Sequence, residues 1–393
     1  MHPLGREALP HWPLDPGVIY LNHGTVGVTP LRVLAVEQEI RADLERRPAE
    51  FLLRELSAVA VGLPRAKPPR MRDAAARVAA FLGARGPDLV FVDNATTGVN
   101  AVLRSFDLKS GDEILVTDLS YGGVARSATY AAERAGGHVR TVETPPPSAG
   151  GGAIADAIVD AIGPRTRIAI VDHVTSESAL ILPLQEIAAR ARAKGTLVLG
   201  DGAHALGMLP VDIPSLGVDW YTGNLHKWAW SPRSAGILWA DPRRHAGLHP
   251  TVISWGLDDG IAAEFDWVGT RNPAPFLAAP AGIDLLHEWG LDRVRAHNHA
   301  LAWEAAVTLP RRWGTETPVP ESMVGSMVTL PLPQTLGSTE DDVARVRDAL
   351  LYEDRIEVQI HVFRGRLWAR ISTQVYNDAN DLERLGAAVA ARV

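Results

Sequence analysis

The sequence predicts a wound α/β domain followed by a smaller α+β domain. Short apolar runs alternate with longer helical stretches in the first part of the 393 residues, and this regular alternation ends in the last part. Near-continuous apolar runs are typical of parallel strands that helices cover on both faces. Their alternation with helices indicates a wound sheet, and the chain is longer than a single domain usually is.

The predicted elements follow from these runs in chain order. Strands are expected at 89–92, 113–117, 138–142, 167–171, 197–200 and 235–239, with helices at about 98–105, 125–135 and 184–194. A long helix is expected after Pro280 and through Trp289, then strands at 327–330 and 367–372 and helices at 341–351 and from Asp381. Residues 145–152, rich in proline and glycine, are interpreted as a surface loop.

Composition and charge exclude several classes of protein. The formal net charge of -7 argues against a nucleic-acid-binding surface, which would normally be basic. The absence of cysteine excludes disulfides, thiolate metal sites and a cysteine nucleophile, and no metal site is predicted. The N-terminus lacks the pattern of a signal peptide, and no apolar stretch has transmembrane length. We therefore expect a cytoplasmic protein with no membrane or nucleic-acid partner.

A lysine and an aspartate carry the first chemical hypothesis. Asp201 ends an apolar strand, and Lys227 follows further along the chain within Gly223-Asn224-Leu225-His226-Lys227-Trp228. A lysine amine can form a Schiff base with pyridoxal phosphate, and a carboxylate can keep the pyridine nitrogen of that cofactor protonated. The alternatives are a surface lysine that extends into solvent and an aspartate in a structural salt bridge.

Other polar segments follow predicted strands at the same edge of the sheet, where ligand sites of open α/β folds lie. Thr96 and Thr97 open a helix, so they form either a phosphate site or a plain helix cap. Tyr121 follows the next strand and either stacks on a planar cofactor or packs in a turn. Residues 172–176 follow a buried strand and either face the site or cap the strand.

Taken together, these segments resemble the class V aminotransferases of fold type I, in particular the branch that includes isopenicillin N epimerases. The resemblance rests on Tyr20-Leu21-Asn22-His23-Gly24-Thr25-Val26-Gly27, Asn94-Ala95-Thr96-Thr97-Gly98-Val99-Asn100, Asp172-His173-Val174-Thr175-Ser176, Asp201-Gly202-Ala203-His204, Gly223-Asn224-Leu225-His226-Lys227-Trp228 and Gly269-Thr270-Arg271-Asn272. It implies pyridoxal 5'-phosphate as cofactor and a large domain, 26–285, with a mainly parallel seven-stranded sheet. It also implies a small C-terminal α+β domain, 286–393, an N-terminal segment, 1–25, that joins the small domain or a dimer interface, and a homodimer with shared active sites.

The resemblance also implies a role for each matching residue. Lys227 would hold the cofactor, Asp201 would pair with its pyridine nitrogen, and His204 would lie near its phenolic oxygen. Tyr121 would stack on the ring, and Lys227, Asp201 and Tyr121 would be the catalytic residues. The remaining cofactor-binding residues would be Thr96, Thr97, Thr175, Asn224, His226 and, from the neighbouring subunit, Thr270. The substrate would contact Asn22, His23 and Arg370, and Arg370 would hold its carboxylate.

Three positions depart from the family pattern or have no counterpart in it. Glu177 stands where relatives commonly carry a proline, and Asn272 replaces a frequent aspartate. The segment 61–70 combines prolines with basic residues that could lie near the site. Trp255 and Glu177 are expected to line the substrate pocket together with Asn22 and His23.

The expected function is a reaction at the α-carbon of an amino acid, similar to that of the isopenicillin N epimerases. The main alternative is a β-eliminating carbon–sulfur lyase that acts on a cysteine-derived substrate, and an isomerase is slightly favoured. A pyridoxal-phosphate-binding protein without catalysis is the alternative from a different class. A cysteine desulfurase of the usual type is disfavoured, because the chain has no cysteine to carry a persulfide.

Overall fold

The structure of this chain is a computed structural model that describes residues 2–58, 68–316 and 319–393. Most of the Pro- and Arg-rich segment 61–70 therefore lies outside the described residues. Arg70, its described basic residue, forms ion pairs with Asp43 at 3.0 Å and with Glu55 at 2.6 Å.

Three sheets contain the strands of the described residues. In chain order the strands are β1 (Ile19–Tyr20), β2 (Leu89–Val92), β3 (Glu113–Thr117), β4 (His138–Val142), β5 (Thr166–Asp172), β6 (Leu197–Gly202), β7 (Trp220–Asn224), β8 (Gly236–Ala240), β9 (Met327–Pro331), β10 (Ile356–Glu357), β11 (Gln359–Phe363) and β12 (Arg366–Ser372). The large sheet has seven strands in the order β2-β8-β7-β6-β5-β3-β4. Only β8 runs against the others, so the prediction of a mainly parallel seven-stranded sheet is confirmed.

The helices lie between these strands. They are α1 (His23–Val26), α2 (Leu31–Arg46), α3 (Pro48–Glu50), α4 (Arg70–Phe81), α5 (Ala95–Ser105), α6 (Gly122–Arg134), α7 (Gly150–Asp160), α8 (Leu184–Ala193), α9 (Leu225–Trp228), α10 (Ile261–Asp266), α11 (Ala274–Trp289), α12 (Leu291–Trp313), α13 (Glu340–Tyr352) and α14 (Ala379–Ala390). Apolar side chains of α5, α6 and α10 form a core on one face of the large sheet. A larger core on the other face includes α4, α7, α8 and α11 and continues into the C-terminal part.

Some element boundaries differ from those predicted. α11 begins at Ala274, and Pro280 lies inside it, although proline normally interrupts a helix. The buried ring of Pro280 contributes to packing in the protein interior, which compensates for the lost hydrogen bond. α7 begins at Gly150, inside the region predicted as loop, and α12, the longest helix, was not predicted.

The small sheets link the two ends of the chain. β11, β12 and β9 form an antiparallel sheet, in that order. β1 pairs in parallel with β10, and Asn22 bridges to Ser372 at the end of β12. The N-terminal segment therefore lies against the strands that carry the C-terminal candidate residues.

Candidate active site

A cleft of about 660 Å³ lies at the carboxyl ends of β5, β6 and β7 and extends to the three-stranded sheet. Parallel strands bring residues that are far apart in sequence to one edge, which is where sites in open α/β folds are found. Most of the predicted site residues line this cleft: Thr96, Thr97, Tyr121, Asp201, His204, Asn224, His226, Lys227 and Arg370.

Lys227 lies in the short helix α9, immediately after β7. Its partly buried amine lies with Nζ 3.0 Å from Nε2 of His204. Burial and, to a smaller extent, the positive charge of Arg370 lower the pKa of Lys227 to about 7, and the negative charge of Asp201 opposes the shift. A lysine in this environment can be a neutral amine near neutral pH, which is the form that acts as nucleophile and base.

The imidazole of His204 is held in one orientation by two contacts. Its Nδ1 accepts a hydrogen bond from Nε1 of Trp228 at 3.5 Å. Burial keeps the pKa of His204 well below its ordinary value, and the charge of Lys227 lowers it further, so the ring is neutral. Because an indole N–H can only donate, the single ring proton is on Nε2 and points to the lysine amine.

Asp201 is a buried carboxylate with no basic group within ion-pair distance among the described residues. Its Oδ1 accepts the backbone N–H of Ala203 at 2.9 Å, and the side chain is 4% exposed. Burial raises its pKa, while the bond from Ala203 and the charge of Lys227 lower it. A buried carboxylate without a cation needs a charged partner, and a protonated pyridine nitrogen in the cleft would be one.

Asp172 is a second buried carboxylate beside Asp201. The two residues are opposite each other on the neighbouring parallel strands β5 and β6, and Asp172 also lines the cleft. Burial, followed by the charge of Asp201, raises the pKa of Asp172 well above its ordinary value. Hydrogen bonds from the hydroxyl of Ser120 and the backbone N–H of Tyr121 act in the opposite direction. Asp172 therefore connects Asp201 with the loop that carries Tyr121.

The start of α5 is fixed by two asparagine side chains. Asn94 caps the helix by accepting the backbone N–H of Thr97 at 3.0 Å, and Asn224 accepts the N–H of Ala95 at 2.8 Å. Thr96 and Thr97 line the cleft at this helix end, where the helix dipole favours an anion such as a phosphate. His226 lies beside it, and burial lowers the pKa of His226 to about 4.

Arg370 supplies a buried guanidinium to the other side of the cleft. Its terminal nitrogens donate to the backbone carbonyl of Ser176 at 2.7 Å and to Oγ1 of Thr25 at 2.5 Å, while its buried Nε has no partner. Burial lowers the pKa of Arg370 to about 10, and the neighbouring Glu177 and Tyr20 oppose that shift. No carboxylate of the described residues lies within ion-pair distance, so the guanidinium is free to hold one from a ligand.

Four predicted residues do not line the cleft of this chain. Asn22 is bonded to Glu357 and Thr25, and His23 to the hydroxyl of Tyr376 and the backbone carbonyl of Lys227. The hydroxyl of Thr175 holds the turn 175–180 through Ser178 and Leu180. Thr270 is exposed on a loop, so any contact it makes with a phosphate would be in another subunit. Trp255, also expected in the pocket, is 85% exposed away from it.

Sequence reasoning missed several residues of the cleft wall. Thr25, Val26 and Gln359 line it but were not assigned to the site, and Asp172 and Ser176 belong to the segment 172–176, for which facing the site was one of two alternatives. Four of them lie in or next to motifs that carried the family resemblance, so the motifs could have indicated them. Gln359 had no such signal, because the strand that contains it, β11, was not predicted.

The donor set of this cleft fits pyridoxal 5'-phosphate. It combines a low-pKa lysine amine, a buried carboxylate without a cation, an anion site at a helix N-terminus and the ring of Tyr121, which is 48% exposed at the cleft wall. Fold and site together define a pyridoxal-phosphate-dependent enzyme of fold type I. The chain belongs to the family whose model is described as Aminotransferase class-V, which matches residues 65–385.

The relatives of this chain within the family are named for different reactions. The chain is 33% identical to a probable chloroplastic L-cysteine desulfhydrase of Arabidopsis thaliana, over 95% of this chain and 83% of that protein. It is 32% identical to an isopenicillin N epimerase of Streptomyces clavuligerus, over 98% of each chain. The apo cysteine desulfurase of Thermococcus onnurineus NA1 has a TM-score of 0.79 at 20% identity, with 100% of this chain and 98% of that chain covered, a likeness that shows the fold.

No helix in the described ranges combines the length and apolar character needed to cross a membrane.

Proposed function

We propose that this chain removes the α-proton of an amino acid, with Lys227 as the base. The observation that carries the proposal is the pairing, within one cleft, of the low-pKa amine of Lys227 with the unpaired guanidinium of Arg370. A guanidinium–carboxylate pair would fix the amino acid by its α-carboxylate. The α-hydrogen would then be held close to the lysine amine, which lowers the entropic part of the barrier.

The cofactor supplies an electron sink for the negative charge that develops at the α-carbon. The chain contributes the groups that hold it. Asp201 would stabilise the protonated pyridine nitrogen, the start of α5 with Asn224 and His226 would bind the phosphate, and Tyr121 would cover the ring. His204 donates its Nε2 proton towards Lys227 or towards the phenolic oxygen, and its neutral state follows from its burial.

The reaction that we favour is β-elimination of a sulfur group from a cysteine-derived amino acid. Elimination needs one group that first accepts the α-proton and then gives a proton to the departing sulfur, and a lysine with a pKa of about 7 can do both near neutral pH. The 33% identity to a probable L-cysteine desulfhydrase supports this choice. Since the chain has no cysteine, the sulfur would leave as a thiol or sulfide and not as a persulfide on the protein.

Epimerisation is the second candidate. It requires a proton donor on the face of the substrate opposite the lysine, and Tyr121 presents an exposed hydroxyl to the cleft. The 32% identity to isopenicillin N epimerases over almost the whole chain also favours it. The slight preference for an isomerase that the sequence suggested is therefore replaced by a preference for elimination, because elimination can be completed by Lys227 alone.

Solvent-deuterium exchange at the α-carbon tests the shared first step. The purified protein with bound pyridoxal phosphate is incubated in D₂O with a panel of amino acids, and α-deuteration, pyruvate and the D-enantiomer are measured. We expect exchange that is lost in Lys227→Ala, with pyruvate released from S-substituted cysteines. Inversion without pyruvate would select the epimerase, and absence of exchange with every amino acid would contradict the proposal.

We also propose a homodimer with shared active sites. Val252, Ile253, Trp255 and Leu257 form an exposed apolar segment in which Trp255 is 85% exposed, and such surfaces usually mark interfaces. Sedimentation of Trp255→Glu tests this, with Tyr352→Glu as the matched control because Tyr352 is 72% exposed elsewhere. A dimer that dissociates only in Trp255→Glu is expected, and a monomeric unmodified protein would contradict it.

A further inference from the structure

We propose that Glu177 selects amino acids whose side chain ends in a cationic amine. This inference rests on the proposed function, because it concerns the side chain of the substrate whose α-carboxylate Arg370 would hold. Glu177 lies at the cleft wall beside Arg370.

The backbone of Ser176 and Glu177 is hydrogen-bonded to side chains of the three-stranded sheet at the level of Arg370. Gln359, Arg370 and Thr329 are cross-strand partners on β11, β12 and β9. The carbonyl of Ser176 accepts from Arg370 at 2.7 Å, and the carbonyl of Glu177 accepts from Oγ1 of Thr329 at 2.6 Å. Glu177 is thus held next to the carboxylate-binding group by two hydrogen bonds and not by a loose loop.

Glu177 is not a counter-ion that occupies Arg370. No ion pair within 4.0 Å joins them, although Glu177 is the first of the charges that oppose the lowering of the Arg370 pKa. The buried Nε of Arg370 has no partner, and Arg370 is 4% exposed. Arg370 therefore remains available to a ligand carboxylate, and a bound carboxylate would neutralise it.

When a ligand carboxylate neutralises the charge of Arg370, this side of the cleft presents hydrogen-bond acceptors and the negative charge of Glu177. No side chain of the described residues donates a hydrogen bond to the Glu177 carboxylate, and Glu340, at the start of α13, adds a second negative charge nearby. Gln359 lines the same wall with an amide oxygen that can accept. An ammonium group would satisfy these acceptors, whereas a second carboxylate would be repelled.

The test compares lysine, norleucine and 2-aminoadipate, whose side chains have similar lengths and end in a cation, a neutral methyl group and an anion. Dissociation constants for the holoenzyme are measured by calorimetry and α-proton exchange by deuteration. Partial burial raises the pKa of Glu177, so measurements are made at about pH 8, well above the ordinary glutamate pKa. Lysine is expected to bind about three- to tenfold more tightly than norleucine, and 2-aminoadipate more weakly, with smaller differences at high salt.

Glu177→Gln keeps the size of the side chain and removes its charge. We expect this variant to bind lysine and norleucine equally. Glu186→Gln is the control, because Glu186 is a half-exposed glutamate that pairs with Arg190 outside the cleft. Equal binding of lysine and norleucine by the unmodified protein, or a lysine preference that survives in Glu177→Gln, would overturn the inference. Failure of the proposed function is distinguishable, since it abolishes exchange with every amino acid while the dissociation constants still report the charge preference.

Discussion

Nζ of Lys227 lies 3.0 Å from Nε2 of His204, and the other nitrogen of that imidazole accepts the indole N–H of Trp228. The neutral histidine therefore points its only ring proton at the lysine, so the lysine nitrogen acts as the acceptor. An ammonium group could not accept this bond. The hydrogen bonds and the lowered pKa of Lys227 thus both favour the neutral amine, which is the form that reacts with an aldehyde or removes an α-proton.

The first prediction concerns the reactivity of Lys227 in the protein without cofactor. Its pKa is lowered from 10.5 to about 7, so the amine is protonated below that pH and free above it. Labelling with an amine-directed reagent, followed by peptide mass spectrometry, should therefore rise with pH around a midpoint of about 7. His204→Phe removes the hydrogen bond that favours the neutral amine and should move the midpoint upwards. A midpoint near 10 in the unmodified protein would show that burial does not lower the pKa of this amine.

The second prediction separates the two neighbouring carboxylates. Asp201→Asn should lower the α-proton exchange rate at least about 100-fold, because an amide cannot stabilise the protonated pyridine nitrogen as a carboxylate does. Asp172→Asn should lower it less than about tenfold. Burial raises the pKa of Asp172 well above its ordinary value, which favours the protonated form of this carboxyl, and an amide resembles that form.

Absorbance of the bound cofactor against pH provides the second measurement for this pair. Asp201→Asn should shift the titration of the cofactor spectrum, whereas Asp172→Asn should leave it unchanged below the raised pKa of Asp172. Equal losses of exchange in both variants would mean that the two carboxylates act as a unit. In that case Asp172 would not be a protonated neighbour of an ionised Asp201.

Much of the large sheet and the centre of the site could be predicted from the sequence. The strands 89–92 and 113–117 match β2 and β3, because strands that are buried on both faces appear as short apolar runs. The predicted strand 138–142 matches β4, which lies at the edge of the sheet and is mostly exposed. Asp201 was predicted because it ends an apolar run, Lys227 because it lies in a distinctive motif, and His204 because Asp201-Gly202-Ala203-His204 carries part of the family resemblance. The strand before Lys227, β7, was not predicted. Local sequence determines these features, so local sequence is sufficient to find them.

The rest of the site depends on contacts between distant segments. Thr25 reaches Arg370 because β1 pairs with β10 and Asn22 bridges to Ser372. Gln359 reaches the cleft because β11 pairs with β12. His23 belongs to a motif but uses both ring nitrogens to hold Tyr376 and the backbone of Lys227. The local sequence does not predict whether a motif residue contacts the ligand or instead positions a neighbouring residue that contacts it.

The third prediction concerns Gly27, which supports the lysine through the backbone. Gly27 has a φ of +66°, and a Cβ added there would lie 1.9 Å from the carbonyl oxygen of His226. Gly27→Ala should therefore destabilise the fold by about 2–4 kcal/mol, from backbone strain and overlap together. It should also weaken cofactor binding, because the overlap displaces the chain at His226 and Lys227.

Denaturant unfolding and cofactor titration measure these two effects. Gly152→Ala is the matched control, because Gly152 lies in α7 and a Cβ added there would have no neighbour within 4 Å. The control should keep the stability and the cofactor affinity of the unmodified protein. If Gly27→Ala binds the cofactor as well as the control does, the position of Lys227 does not depend on this close contact.

The last prediction uses Tyr121 to decide between elimination and epimerisation. Tyr121→Phe keeps the aromatic ring that can stack on the cofactor and removes only the hydroxyl, the group at the cleft wall that could protonate the second face of the substrate. If the enzyme is a lyase that relies on Lys227, pyruvate release from S-substituted cysteines should fall less than about threefold. If it is an epimerase, formation of the D-enantiomer should fall about 100-fold or more while α-deuteration of the L-enantiomer continues, because only the second proton transfer is lost. Tyr121→Ala, which also removes the ring, should weaken cofactor binding in both cases and so separates the stacking role from the acid role. A Tyr121→Phe variant that retains full inversion would exclude this hydroxyl as the donor and require another acid on that face.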